Sequence, residues 1–451
     1  MAAVSSKKEG SPLSVEVISV SSSSYGNNDV FDQHNKPRLR RELILSALLD
    51  EYPQLVTISK QSPNDNIDLI DVYRRVHDVG MVQFLLDAWK KWEAMGKEGG
   101  WYEECCHPEW LKNKETQKAG NEDSDDVPPM VPCHVAFRRD GIERPSKNVM
   151  GAFGYYCTDL MTPIVGSLAK ELQEDCSVIL GAVNSAFLKS SESTINFGYE
   201  DGSSGQFTRG GSFPVVYAVT THPGHHANRD NFGGYCYLNN AALCAKLMQE
   251  RLESQINKDK NIGGEEQDQP PNKKRKCRVA ILDIDYHCGN GTASIFYEDP
   301  SIFFASIHCD TSIEYPFNSG YEDQIGKGGG EGATCHIPLE PGATWDGTYK
   351  AAIKKAMKAI VDYDVAGLVI SLGLDTHEGD SVAVNKGGFK LSGKDYYHIG
   401  KCMGAFFEGK IIPTVFVQEG GYKMDVVGEA AAHVVGGFAV GAGGGGGPFF
   451  D

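Results

Sequence analysis

The sequence has no apolar run approaching the ~20 residues needed to cross a bilayer as a helix. Its first ten residues, MAAVSSKKEG, hold no apolar segment, so they do not read as a secretory signal. None of the 12 cysteines forms a Cys-x-x-Cys pair. That removes the common structural-zinc and dithiol patterns and predicts reduced thiols in an intracellular protein, cytoplasmic or nuclear. Positive charge is also short: 43 Lys and Arg stand against 60 Asp and Glu, a formal net charge of −17. This argues against direct nucleic-acid binding and suits a cationic substrate or simple solubility. There is no internal repeat.

What remains is an ordinary globular composition, 41% hydrophobic and 23% charged, which can build a large core. Short runs rich in β-branched residues, at 14–20, 215–220, 279–282, 302–307, 366–372 and 411–417, read as strands. They alternate with helical patterns at 37–52, 67–92, 163–188, 239–252, 348–363, 396–407 and 426–440. Such alternation predicts one α/β domain over 13–440, with a mostly parallel sheet flanked by helices. Two polar stretches, 98–132 and 253–276, read as insertions, and 190–211 as a Ser/Gly-rich loop. Residues 1–12 read as disordered and 441–451 as a Gly-rich tail. Cys105, Cys106 and His107 in the first insertion read as an exposed or half-buried thiol pair rather than a metal site. The run Lys273-Lys274-Arg275-Lys276 resembles a nuclear import signal, but a solvated loop is the commoner reading of such a run.

The stretch 279–290, VAILDIDYHCGN, organises the chemistry. An apolar strand gives way to Asp283, Asp285 and His287, spaced by two so that they share a face. Three other strands also end in reactive side chains: His225 and His226 after 215–220, Asp375 after 366–372, and Tyr422 after 411–417. Taken singly, each has a bland reading: a surface or core histidine pair, a helix-capping Asp, a packing Tyr. Together they suit a metal hydrolase. Asp285, His287 and Asp375 offer two oxygens and a nitrogen, leaving a fourth position open as catalytic zinc requires. The adjacent imidazoles can serve as base and acid, and the Tyr422 hydroxyl can donate to a developing oxyanion.

The motifs HisProGlyHisHisAla (222–227), GlyGlyTyrCysTyrLeuAsnAsn (233–240), AspIleAspTyrHis (283–287), GlyAsnGly (289–291), SerLeuGlyLeuAspThr (371–376) and GluGlyGlyTyr (419–422) resemble the zinc-dependent histone deacetylases. GlyTyrTyrCysThrAsp (154–159), ThrProIle (162–164) and the segment 308–317 point to the class II and acetylpolyamine amidohydrolase branch. The resemblance implies an arginase-like fold and one catalytic zinc on Asp285, His287 and Asp375. It implies His226 as general base and acid, oriented by Asn290, with His225 backed by Asp283 as electrostatic support. Tyr422 would polarise the acetyl carbonyl, and Gly234 with Tyr235 would line a narrow substrate tunnel. A structural potassium would take Asp283, Ser306 and the carbonyl of Ile307. The implied reaction is hydrolysis of acetyl-lysine on histones and other proteins, with a role in chromatin regulation, or of acetylpolyamines. A homo-oligomer stays open; a membrane partner is not implied. Cys288 departs from the second His usual in the family, and a buried structural thiol is expected there. His377 and Ser381 depart in the loop after Asp375, and Thr221–His222 replaces Arg-Pro. One alternative is a non-catalytic protein that keeps the fold as a binding platform. Another, a two-manganese ureohydrolase, lacks a second carboxylate set around Asp285.

Overall fold

The structure is a computed structural model. It describes residues 13–20, 35–61, 67–99, 103–108, 111–112, 127–136, 138, 141–188, 193–198, 204–209, 214–262, 277–382, 387–407 and 412–443. The expectations for 1–12, for most of the 441–451 tail, for the acidic run 122–126 and for the basic run 273–276 lie outside the described residues.

Strands β1 (Val15–Val20), β2 (Val56–Gln61), β5 (Val215–Ala218), β6 (Val279–Asp283), β7 (Ile302–Cys309), β8 (Thr334–Leu339), β9 (Gly367–Leu372) and β10 (Thr414–Gln418) form one sheet. Every neighbouring pair in it is parallel. A separate antiparallel pair, β3 (Ser193–Gly198) and β4 (Ser204–Arg209), stands apart from it. Strands β6, β7, β9 and β10 are buried along their whole length. Such strands read as unbroken apolar runs because helices cover both faces. On one face lie α2 (Leu69–Tyr73), α3 (Val79–Gly99), α4 (Val149–Tyr156), α5 (Leu168–Ala186), α6 (Asn240–Ile262) and α7 (Asn290–Phe296). On the other lie α1 (Pro37–Glu51), α8 (Lys350–Asp362), α9 (Gly393–Ala405) and α10 (Val427–Ala442). The two-residue period sorts side chains between them: Val415 and Val417 of β10 pack into the first core and Phe416 into the second.

The sheet order is β2-β1-β5-β10-β9-β6-β7-β8. The four strands followed by reactive residues, β5, β10, β9 and β6, are therefore consecutive neighbours at the sheet's centre. Their carboxyl ends share one edge, where open α/β sheets place their ligands.

Several sequence expectations need correction. The helix expected over 67–92 is two helices. Asp68 accepts the amides of Ile70 and Asp71 (3.0 and 3.2 Å) at the start of α2, and Asp78 accepts those of Gly80 and Met81 (2.9 and 3.2 Å) at the start of α3. An aspartate that caps a new helix ends the old one. The break turns His77 inward, where it bonds the Asn228 carbonyl and the Asn239 amide. The loop expected over 190–211 contains β3 and β4, whose β-forming residues alternate inside a Ser/Gly-rich composition. The insertion expected at 253 begins later, because α6 runs on to Ile262 with a polar sequence. The flanks of the 98–132 insertion belong to the core: Cys105, Cys106, Met130 and Val131 are buried, and the Val131 amide donates to the Cys105 carbonyl at 2.9 Å. Cys105 and Cys106 are thus neither exposed nor half-buried. Strands β2 and β8 and helix α4 had no clear sequence signal. Among the described residues, no helix is long and apolar enough to cross a membrane.

Candidate active site

Strand β6 ends at Asp283, and the chain then carries Asp285 and His287 across the edge of the sheet. Asp375 follows β9 one strand away. One donor atom from each of Asp285, His287 and Asp375 lies within 4.8 Å of the others, and all three residues are buried. His287 Nδ1 sits 3.1 Å from Asp375 Oδ2 and 3.3 Å from Asp285 Oδ1. Two buried carboxylates this close would repel strongly without a cation. Burial and the nearby Asp285 charge push Asp375 up to about 7. Burial would lower His287, but its bonds to Asp285 and Asp375 lift it to about 10. Two oxygens and one nitrogen converging within 4.8 Å are the donor set of a catalytic zinc, so the residues fit that ion.

The backbone makes room for this cluster. The Gly420 amide donates to Asp285 Oδ2 at 3.0 Å, and a Cβ on Gly420 would stand 2.6 Å from that oxygen and 2.7 Å from Asp375 Oδ2. Only glycine permits such an approach.

After β5, His225 and His226 pack together with ring centroids 4.0 Å apart and their planes tilted by 43°. Their environments differ. His225 Nδ1 lies 3.0 Å from Asp283 Oδ2, and Nε2 lies 3.6 Å from Asp285 Oδ1. Burial opposes its charge, yet Asp285 and Asp283 hold it well above the ordinary range. His226 is driven well below that range by burial and by the repulsion of His225 and His287. Its Nδ1 faces Asn290 Oδ1 at 2.7 Å. An amide oxygen only accepts, so Nδ1 carries the proton and Nε2 keeps its lone pair. One imidazole is thereby charged and the other neutral, side by side.

Tyr422 follows β10. Burial raises its hydroxyl well above the ordinary range. Its ring lies 5.9 Å from that of Tyr235, and the Arg40 guanidinium stands 5.7 Å from its centroid. Arg40 also donates to the carbonyls of Gly421 (3.2 Å) and Thr221 (3.1 Å). Gly234 and Tyr235 both adopt positive φ, +59° and +64°. The Tyr235 amide donates to Thr162 Oγ1 at 3.0 Å, and the Gly234 amide to Asp159 Oδ2. A Cβ on Gly234 would stand 2.5 Å from His226 Cδ2. Gly234→Ala is therefore expected to push His226 aside and lower kcat about 10²-fold while the protein still folds. Steady-state kinetics and a thermal melt check this, and an unchanged kcat would show that His226 needs no such clearance.

The other sequence candidates are also placed. Asp283 pairs in register with Ser306 across β6 and β7, and Ile307 follows, all fully buried. Cys288 is buried, as the sequence suggested, and burial raises its thiol well above the ordinary range. His377 stacks on Tyr396 at 6.3 Å and accepts the Gly379 amide at 3.1 Å, so it shapes its own turn; Ser381 is exposed. Cys105, Cys106 and His107 form no metal-holding group among the described residues.

The histone deacetylase domain, compared as a family, matches residues 38–258 and 268–438. The chain belongs to the histone deacetylase family. It is 32% identical over 369 residues to acetylpolyamine amidohydrolase 2 of Pseudomonas aeruginosa, covering 82% of this chain and 83% of that one. It is 30% identical over 227 residues to histone deacetylase clr3 of Schizosaccharomyces pombe, covering 50% and 29%. The crystal structure of acetylpolyamine aminohydrolase from Burkholderia pseudomallei superposes with a TM-score of 0.63 at 22% identity, covering 94% of this chain and 98% of that one. That likeness supports the fold.

Some residues of this family member's site escaped the sequence reading. Tyr315 stands edge-on to His226, with centroids 4.8 Å apart. Asp380 accepts the amides of Tyr422 (2.6 Å) and Lys423 (3.0 Å). Glu419 accepts those of Gly224 (2.6 Å) and His225 (3.1 Å), tying the histidine loop to β10. Behind that loop, His222 Nε2 lies 2.8 Å from Glu171 Oε2, and Arg38 Nε donates to Oε1 at 2.9 Å. Burial opposes the Glu171 charge, but His222 and Arg38 outweigh it and lower the group to about 2, against an ordinary 4.5. A depressed carboxyl contributes stability above its unfolded pKa and loses it as pH falls toward the folded one, here ~3 kcal/mol between roughly pH 4.5 and 2. Glu171→Gln is expected to lower the denaturant midpoint at neutral pH and to flatten this acid limb. Equal midpoints for both proteins at pH 7 would show that the pair contributes nothing.

Proposed function

We propose that this chain is a zinc-dependent amidohydrolase that removes acetyl groups from N-acetylated amines, releasing acetate and the free amine. The observation that carries this is the convergence of four adjacent strand ends on one point. When bound, a zinc ion on Asp285, His287 and Asp375 would polarise the acetyl carbonyl and acidify its water. His226 Nε2 takes the proton as the water oxygen bonds to the carbonyl carbon, then returns it to the nitrogen as the C–N bond breaks. Asn290 keeps the ring in the tautomer this requires. His225, held charged by Asp283, offsets negative charge that builds beside it. The Tyr422 hydroxyl, kept protonated, donates to the carbonyl oxygen as it gains charge. Tyr235, Gly234 and Tyr315 flank the path of a linear side chain. A structural potassium on Asp283, Ser306 and the Ile307 carbonyl would neutralise the buried Asp283.

The preferred substrates in this reading are small acetylated cationic amines. The acetylpolyamine amidohydrolase relative matches over 82% of the chain, against 50% for the histone deacetylase. The formal charge of −17 favours a cation at the entrance. Acetyl-lysine on proteins is the second substrate class, and a nuclear location would favour it. The test offers purified protein an acetyl-lysine peptide, a longer acyl-lysine peptide and acetylputrescine, each with and without chelator. The highest kcat/KM is expected for acetylputrescine, abolished by chelation. Preference for the acetyl-lysine peptide would overturn the substrate class. Undiminished turnover in chelator would overturn the zinc mechanism.

A further inference from the structure

Beside the proposed catalytic centre lies a second convergence of metal-binding side chains. Cys288 comes from the loop after β6, His308 from β7 and His336 from β8. One donor atom from each lies within 4.8 Å of the others, and all three residues are buried. Cys288 Sγ stands 3.8 Å from His336 Nδ1. This is near the ~3.6 Å that separates sulfur and nitrogen on one tetrahedral zinc with ordinary bond lengths. We infer that Cys288, His308 and His336 form a second transition-metal site, for a zinc-like divalent ion, distinct from the Asp285, His287 and Asp375 centre.

The chemistry of the donors supports this. One sulfur and two imidazoles suit zinc and its softer neighbours, whereas carboxylates, absent from this trio, suit magnesium or calcium. Both rings are buried, and a neutral imidazole offers one lone pair to a metal. His308 already has the outer support that ligating histidines use: its Nε2 lies 3.0 Å from the Gly320 carbonyl, to which it donates when Nδ1 is the free nitrogen. Ser306 Oγ lies 2.8 Å from that Nδ1, a hydrogen bond that an ion on the nitrogen would replace. On binding, the thiol proton passes to solvent and the sulfur bonds the ion. Gly320 closes the other side, where a Cβ would stand 2.7 Å from Sγ and 2.8 Å from His308 Nε2. A histidine at position 288, usual in the family, would offer no sulfur. An ion here would tie the loop that carries His287 to two further strands.

Cobalt tests this, because only a sulfur ligand gives a thiolate-to-cobalt charge-transfer band in the near ultraviolet. The full chain, stripped and reloaded with cobalt, is expected to hold two ions and show the band. Cys288→Ser and His336→Asn should each hold one ion and lose the band. Asp375→Asn should lose the other ion and keep the band, which preserves a decisive arm if a Cys288 or His336 variant fails to fold. A single ion without the band in the parent would overturn the inference, as would a band that survives Cys288→Ser. Activity on acetylated amines is scored separately, so failure of the catalytic reading leaves this result readable.

Discussion

Tyr422→Phe is expected to lower kcat for acetamide hydrolysis about 10²–10³-fold, with KM and bound metal little changed. The substitution removes one oxygen. It leaves the ring in place between Tyr235 and Arg40, and the backbone stays pinned because Asp380 holds the Tyr422 amide rather than its hydroxyl. What disappears is a donor that matters only once the carbonyl oxygen gains charge, so the loss falls on kcat. Burial keeps this phenol protonated across any practical pH range, so the parent should show no alkaline limb from its ionisation. Rates with acetylputrescine and metal analysis on both proteins check this. A phenylalanine variant that turns over normally would show that the hydroxyl takes no part. Loss of activity with metal retained would also exclude the alternative of a fold kept only as a binding platform.

Asp285→Asn is expected to remove the catalytic metal and, with it, measurable turnover. Asp285 Oδ1 accepts the His287 amide at 2.9 Å and Oδ2 accepts the Gly420 amide at 3.0 Å. Asparagine can satisfy only one of these. Its NH2 group would face a second donor, costing ~1–3 kcal/mol for the buried amide left unpaired. The variant should therefore melt lower even without metal. Metal binding by the parent should also depend on pH, and the sign follows from the raised values. Asp375, near 7, and His287, near 10, hold protons in the metal-free protein that the ion must displace. Zinc should bind more tightly as pH rises and dissociate as pH falls below about 7, with proton release measurable by calorimetry in buffers of different ionisation enthalpy. A variant that keeps its full metal and rate would remove Asp285 from the centre.

Much of this was legible before any coordinates, for a physical reason. Strands buried on both faces cannot hide: the runs at β6, β7, β9 and β10 are mostly apolar and buried along their whole length, and the polar residues that follow them stand out. What could not be read is adjacency. Nothing in the chain says that β5, followed by His225 and His226, lies beside β10, two hundred residues on. The missed groups share another trait. Tyr315, Asp380 and Arg40 act through positions in loops or on a helix whose local sequence is unremarkable, and their meaning depends on what packs against them. The errors in secondary structure were of a third kind. At 67–92 a continuous apolar pattern masked two aspartate caps. At 253–262 a polar helical sequence looked like a loop.

Arg40 lies in the first described helix, yet it holds the carbonyl just before Tyr422, 381 residues further along. The machinery between them is drawn from segments some two hundred residues apart. During translation, then, no growing chain that stops short of Tyr422 holds a complete set of reacting groups. Hydrolysis would begin only once Tyr422 has left the ribosome, and a shorter nascent fragment would be silent even with most of its sheet formed.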